Sequence, residues 1–168
     1  MMGDILFVSL TEGMSWVENR RELIQEYIGG SGLAINLLHE LCPEGVDPFS
    51  PENPIILAPG PFIGLYPVCS KTIAMFKSPL TGNLGESHAG GGLGAALRFA
   101  GYDALVVLGA SPKPVWLDIG GDGEVKFKGS SSVQGMSAVE TVDILKESEP
   151  DGLQSVVAVG PAGERFVY

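Results

Sequence analysis

One run of the sequence, from Lys71 to Asp103, constrains the fold more than any other part of the chain. An apolar segment over 71–77 meets a Ser-Pro turn, and a stretch that reads Gly90-Gly-Gly-Leu-Gly94 follows it. This order predicts a strand, a loop and then a short helix over about 92–99. Glycines let backbone N–H groups approach an anionic ligand, and a helix start adds the positive end of a dipole. The run is therefore the first candidate for a binding site.

Length and composition predict one folded domain with a substantial core. The chain has 168 residues, of which 45% are apolar and 18% are charged, which is unlike a disordered sequence. It contains no apolar stretch long enough to span a membrane, and its start lacks the basic region of a signal peptide. The sequence therefore favours a cytoplasmic protein.

The charge balance argues against two classes of partner. The net charge is −10, and the ten Lys and Arg residues are scattered along the chain. Nucleic-acid binding usually needs a basic face, and anionic membranes also attract basic surfaces. We therefore expect neither nucleic acid nor a membrane as a partner.

The two cysteines, Cys42 and Cys69, do not form a Cys-x-x-Cys motif. Two thiols alone are too few for a zinc or iron–sulfur site, which needs four ligands. The simplest interpretation is a pair of ordinary buried thiols in a reduced protein. A disulfide between them stays open.

The predicted elements mix hairpins with short helices. Because strands and helices do not alternate strictly, the fold class predicted is α+β.

The chain ends in an apolar segment that begins at Arg165, which predicts a domain cut before its C-terminal end. A hairpin followed by a helix occurs at 4–28 and again at 114–147, which is consistent with a duplication. The predicted strands are 4–10, 14–18, 55–57, 71–77, 104–108, 114–119, 124–128 and 155–159, with a further strand from 165, and the predicted helices are 20–28, 31–41, 92–99 and 137–147.

The glycine stretch has two competing interpretations. It matches neither the phosphate loop of nucleotide-binding proteins nor the dinucleotide fingerprint. It could hold an anion, with His88 beside it and Lys71 on the incoming strand, or it could let a helix pack closely on a strand through small residues. Lys77 shares the face of Lys71, but both lysines could equally lie on the surface. No residues form a recognisable catalytic set, so the residues alone predict a binding site without catalytic residues or metal ligands.

Seven short motifs occur in order, nearly from end to end of the chain. They are Gly30-Ser-Gly-Leu-Ala34, Asp47-Pro-Phe-Ser-Pro-Glu-Asn53, Gly60-Pro61, Lys77-Ser-Pro-Leu-Thr-Gly82, Gly90-Gly-Gly-Leu-Gly-Ala95, Arg98-Phe-Ala-Gly-Tyr-Asp-Ala104 and Val159-Gly-Pro-Ala-Gly-Glu164. Together, in this order and at family-like spacing, they resemble the N-terminal domain of the aldehyde ferredoxin oxidoreductase family.

The resemblance implies a domain of two sheet-containing repeats with short helices, on which a tungsten or molybdenum bis-pyranopterin with a bridging magnesium ion lies. It also implies a full-length enzyme that oxidises aldehydes to carboxylic acids and passes electrons to ferredoxin. A homo-oligomer is a further expectation. A [4Fe–4S] cluster and the acid–base groups would be bound by later domains. The 168-residue chain alone is then expected to be inactive.

Carried over residue by residue, the resemblance predicts four cofactor-binding positions. Lys71 stands where the family has an arginine. The lysine keeps the positive charge but lacks the planar, two-pronged hydrogen-bond donor of arginine. His88 stands where the family often has an asparagine. Gly90 matches a family glycine whose backbone lies against the cofactor, and Ala89 is adjacent to it. These departures leave open a second function, a standalone module that binds a phosphate ligand or another protein.

Overall fold

The computed structural model describes residues 3–148 and 154–167, which form a six-stranded mixed sheet, a two-stranded sheet and short helices. The six-stranded sheet has the order β2-β1-β6-β3-β4-β5, and β7 pairs only with β8. The strands are β1 (Asp4–Ser9), β2 (Met14–Asn19), β3 (Ile55–Pro59), β4 (Thr72–Lys77), β5 (Leu84–Ala89), β6 (Ala104–Leu108), β7 (Val115–Ile119) and β8 (Val125–Gly129). The helices are α1 (Arg21–Tyr27), α2 (Gly30–Leu41), α3 (Leu93–Phe99), α4 (Ala138–Ser148) and α5 (Pro161–Glu164). The predicted α+β class is confirmed.

The centre of the large sheet is covered on both faces. Strand β1 pairs in parallel with β6 and antiparallel with β2, and its residues alternate between the two faces. Ile5 and Phe7 pack with the apolar side of α2, whereas Leu6 and Val8 pack with Leu97 of α3. The β7–β8 hairpin adds partly buried side chains to the α3 side. The protein therefore has two apolar clusters, one on each face of a shared sheet.

A buried ion pair fixes the turn between α3 and β6. Asp103 is buried, pairs with the guanidinium of Arg98, and accepts a hydrogen bond of 2.7 Å from the backbone N–H of Gly3. Burial lowers the pKa of Arg98. This contact ties the start of the chain to the end of α3, which sets where the helix sits on the sheet.

Most predicted elements are confirmed within one or two residues, including both hairpins and the helix that opens at Ser137. The segments 4–28 and 114–147 each form a hairpin followed by a helix, the first in the six-stranded sheet and the second in the two-stranded one. Strand β3 runs to Pro59, two residues beyond the strand predicted over 55–57. No helix among the described residues is long and apolar enough to cross a bilayer.

Three predictions about strands need correction. The segment after the Ser-Pro turn is a strand, β5, which was predicted as loop because its sequence Leu-Gly-Glu-Ser-His-Ala is polar and lies at a sheet edge. The segment 155–159, predicted as a strand from its valines, has no regular secondary structure and pairs with none of the strands that the structure describes. The strand predicted from Arg165 is also wrong, because the chain turns there and Phe166 has a φ of 57°. For β5 and for 155–159, the presence or absence of a neighbouring strand decided the outcome.

Candidate functional site

The four residues predicted to bind a cofactor lie together at one end of the β4–β5 pair. Thr72 is opposite Ala89, and Ile73 is opposite His88. Lys71 precedes Thr72 and Gly90 follows Ala89, so both stand just beyond the last pair of the ladder. The carbonyl of Lys71 accepts a 3.1 Å hydrogen bond from the N–H of Gly60. The hairpin register therefore brings together residues nearly 20 positions apart in sequence.

Alternation along β5 sends His88 and Ala89 to opposite faces of the sheet. His88 lies on the face covered by α2. Its Nε2 is 3.0 Å from Oε1 of Glu86, and the hydroxyl of Ser31 donates to that same oxygen at 2.6 Å. The imidazole at this edge is therefore anchored through Glu86 to the start of α2.

This cluster is not a nucleophilic triad. The hydroxyl of Ser31 donates to the carboxylate of Glu86, so the imidazole of His88 is not placed to remove its proton. Ser31 was not among the site residues predicted from the sequence. The two-residue spacing of Glu86 and His88 on a strand was the signal for their contact, but it required β5 to be recognised.

The glycine stretch divides into an open half and a packed half. Among the residues that the structure describes, a Cβ added to Gly91 would contact nothing within 4 Å, and one added to Gly90 would meet only the Ser70 hydroxyl at 3.8 Å. In contrast, a Cβ on Gly94 would lie 2.6 Å from Cδ1 of Ile63 and 2.8 Å from Oγ1 of Thr72. The close-packing interpretation therefore holds for Gly94, whereas binding at the open half stays a prediction.

The open half has the backbone geometry of a turn that only glycine adopts without strain. Gly91 has a φ of 96°, in the region that L-residues avoid. This φ accounts for glycine at Gly91, whereas at Gly90 neither a positive φ nor a close contact with the described residues requires one. The space beside their backbone is what a bound group would fill.

Lys77 lies away from this cluster, at the other end of β4. Its Nζ donates to the carbonyl of Val46 at 2.6 Å, and its backbone N–H and carbonyl are both bonded to the side chain of Asn53. These contacts fix the long proline-containing loop against the sheet. Of the two lysines considered for an anion, Lys71 is the one at the glycine turn, and its side chain is exposed.

The thiols of Cys42 and Cys69 are free and partly exposed, so the disulfide left open by the sequence does not form. Within residues 3–148 and 154–167, no three His, Cys, Asp or Glu side chains are grouped to hold a metal ion.

The fold and site define an α+β domain with an open glycine turn at one end of a mixed sheet. Residues 5–168 match the family described as aldehyde ferredoxin oxidoreductase, N-terminal domain. The chain belongs to this family.

Three similar proteins show the breadth of this relationship. A tungsten-containing aldehyde ferredoxin oxidoreductase of Pyrococcus abyssi is 40% identical over 98% of this chain and 27% of its own length. An aliphatic sulfonate oxidoreductase, WOR-like subunit, of Pyrococcus furiosus is 33% identical over 86% of this chain and 24% of its own. A chain in a solved structure of the active site complex BamBC of benzoyl coenzyme A reductase with 1,5-dienoyl-CoA superimposes with a TM-score of 0.92 and 35% identity, over 97% of this chain and 25% of that one. This chain thus spans about a quarter of the length of its relatives.

Proposed function

We propose that this chain is the N-terminal cofactor-holding domain of a tungsten pterin oxidoreductase that oxidises aldehydes to carboxylic acids with ferredoxin as electron acceptor. The observation that carries the proposal is the open turn at Gly90 and Gly91 beside Lys71 in a chain of this family. The relatives named for aldehyde oxidation contain tungsten and match nearly the whole chain.

The residues at the turn suit a cofactor that carries negative charge and has a flat face. Gly90 lets the group approach the backbone, because no Cβ fills the space. Lys71 supplies an exposed positive charge beside the turn, in a chain whose net charge is −10. His88 is held at the sheet edge by Glu86, and Ala89 offers a side chain small enough to leave the neighbouring backbone accessible.

When bound, the tungsten pterin would supply the metal and the electron-transfer chemistry. The chain's own residues bind and orient it, and none of them is assigned a catalytic role. The bridging magnesium ion and the [4Fe–4S] cluster belong to the same proposal, the cluster being held by parts of a longer protein. We expect that the longer protein has ferredoxin and an aldehyde as partners, forms a homo-oligomer and is located in the cytoplasm.

The choice of substrate is set elsewhere in the longer protein. Relatives named for aldehydes, aliphatic sulfonates and a coenzyme A thioester share this domain. Aldehydes are favoured because the relatives named for them match with 40% identity over 98% of the chain, against 33% over 86% for the sulfonate relative. A panel of aldehydes, sulfonates and benzoyl-CoA therefore tests the reaction separately from cofactor binding.

The binding test measures tungsten in the longer protein, produced with tungstate from the gene that carries this sequence. Replacing Lys71 by Ala should lower the tungsten content at limiting tungstate about tenfold, because one charge-assisted contact is lost. Lys71→Arg should retain the metal. Lys113→Ala, at an exposed lysine before β7, is the matched control.

A wild-type protein without tungsten, or equal tungsten in all three variants, would contradict the proposal. A stop codon directly after Tyr168 would leave the alternative of a standalone module that binds a phosphate ligand or a protein.

A further inference from the structure

An apolar loop projects from the same end of the sheet as the glycine turn. Residues 53–70 contain no charged side chain, although the chain as a whole carries 18% charged residues. The first part of this run is β3, and the second part forms the loop between β3 and β4. We call the exposed apolar side chains of this loop, together with one from α3, the 62–68 surface. Its members are Phe62, Leu65, Tyr66, Val68 and Phe99.

The 62–68 surface is held in one shape by contacts at its base. Ile63 is buried against the position of Gly94, and the N–H groups of Leu65 and Tyr66 both donate to the carbonyl of Phe62 at 3.1 Å. The rings of Phe62 and Tyr66 meet edge to face with centroids 5.5 Å apart. A loop fixed in this way presents its apolar groups to a partner at a low cost in conformational entropy.

The surface contains a cleft that suits an apolar side chain. The cleft has a volume of about 210 Å³ and is lined by Ile63, Leu65 and Phe99 together with the ion-paired side chains of Arg98 and Asp103. The two charges face each other, and most of the lining surface is apolar. Its walls favour a protein side chain such as leucine or phenylalanine.

The loop adjoins the proposed cofactor site directly. Its two ends are joined by the hydrogen bond from Gly60 to Lys71, and Ser70 lies beside Gly90. Any polypeptide that closes over the glycine turn would therefore reach the 62–68 surface as well. Exposed apolar patches next to a binding site are typical of interfaces.

We propose that the 62–68 surface is the docking face for the polypeptide that follows this domain in the longer protein. The relatives carry about three quarters of their length outside the part that this chain matches. A second copy of the chain is disfavoured as occupant, because each copy has a net charge of −10 and the two would repel. The proposal rests on the proposed function only in requiring that longer protein.

The test compares hydrogen exchange of residues 61–70 in the 168-residue chain and in the longer protein. We expect exchange to slow about tenfold or more in the longer protein, because docking protects the loop. Equal exchange in the two would overturn the proposal. So would protection that rises with the concentration of the 168-residue chain, since that would indicate a second copy, and so would a stop codon after Tyr168.

A matched pair of variants separates docking from folding. Leu65 is 70% exposed in the loop, and Leu80 is 75% exposed in the turn at the other end of β4. Leu65→Ser should lower the melting temperature of the longer protein and leave that of the 168-residue chain unchanged, whereas Leu80→Ser should leave both unchanged. Equal effects of the two substitutions on the longer protein would contradict the proposal.

Cofactor binding and docking can fail independently. Tungsten retained in a protein whose 61–70 loop exchanges freely would overturn only the docking proposal. A protected loop in a protein without tungsten would overturn only the proposed function.

Discussion

The six-stranded part of the molecule and the part after β6 differ in how they are stabilised. In the first, central strands are buried on both faces, and α2 contributes fully buried leucines. In the second, a two-stranded sheet has only partly buried apolar side chains, and the segment 155–159 exposes Val157 and Val159. Because two strands alone are marginally stable in water, this second part depends on the face that it covers. The candidate site belongs entirely to the better-packed part.

The largest expected effect tests this difference in packing directly. Leu37→Ala in α2 should cost about 4 kcal/mol in the free energy of unfolding, since the leucine is fully buried. Leu117→Ala in β7 should cost about 1 kcal/mol, because that side chain is only partly buried. Urea denaturation of the 168-residue chain gives both values, and equal losses would break the comparison.

A smaller effect distinguishes the two halves of the glycine stretch. Gly94→Val should destabilise the fold by about 2 kcal/mol, because the added atoms overlap Ile63 and Thr72. Gly90→Val should leave stability nearly unchanged, since its side chain enters open space, and should reduce tungsten content in the longer protein. If Gly90→Val destabilised the chain as much as Gly94→Val, the open turn would have to be assigned to packing.

The smallest effect concerns the start of α4 in the less-packed part. The hydroxyl and N–H of Ser137 donate to Glu140, and these hydrogen bonds lower the pKa of that carboxyl. A lowered pKa in the folded state means that the stabilisation is present above the ordinary pKa of a glutamate. It is lost as the pH falls through the lower value of the folded protein.

The protection factor of the amides at the start of α4, which is the exchange rate of an unfolded chain at the same pH divided by the observed rate, should therefore fall on acidification in the wild type. In Glu140→Gln this protection factor should be lower at neutral pH and less dependent on pH in this range. An identical pH profile in the two proteins would show that the carboxylate does not cap the helix.

Local patterns predicted most elements because their residues carry the relevant information themselves. The Gly-Gly-Asp-Gly turn between β7 and β8 and the Ser137–Glu140 cap are both specified within a few residues. The polar strand β5 was missed because its stability comes from pairing with β4 rather than from its own composition. The strand prediction for 155–159 was wrong for the opposite reason. Residues that favour β-structure form a strand only where a neighbouring strand offers a free edge.

The four candidate site residues were selected from motifs, and their proximity follows from the register of β4 and β5. The link from His88 through Glu86 to Ser31 joins residues more than 50 positions apart, so no local pattern could reveal it. The difference between the open and the packed glycines could be seen only in the three-dimensional structure, because Gly90 and Gly94 have the same chemistry and differ only in the atoms that face them.

The sequence by itself determined the α+β class, the family and the position of the glycine turn, because these depend on periodicity, turn residues and motifs along the chain. The tertiary structure alone decided which glycines are open, that Lys77 serves the loop rather than the site, and that an uncharged loop is presented beside it. Those properties depend on contacts between distant segments, and such contacts are fixed only when the sheet has assembled.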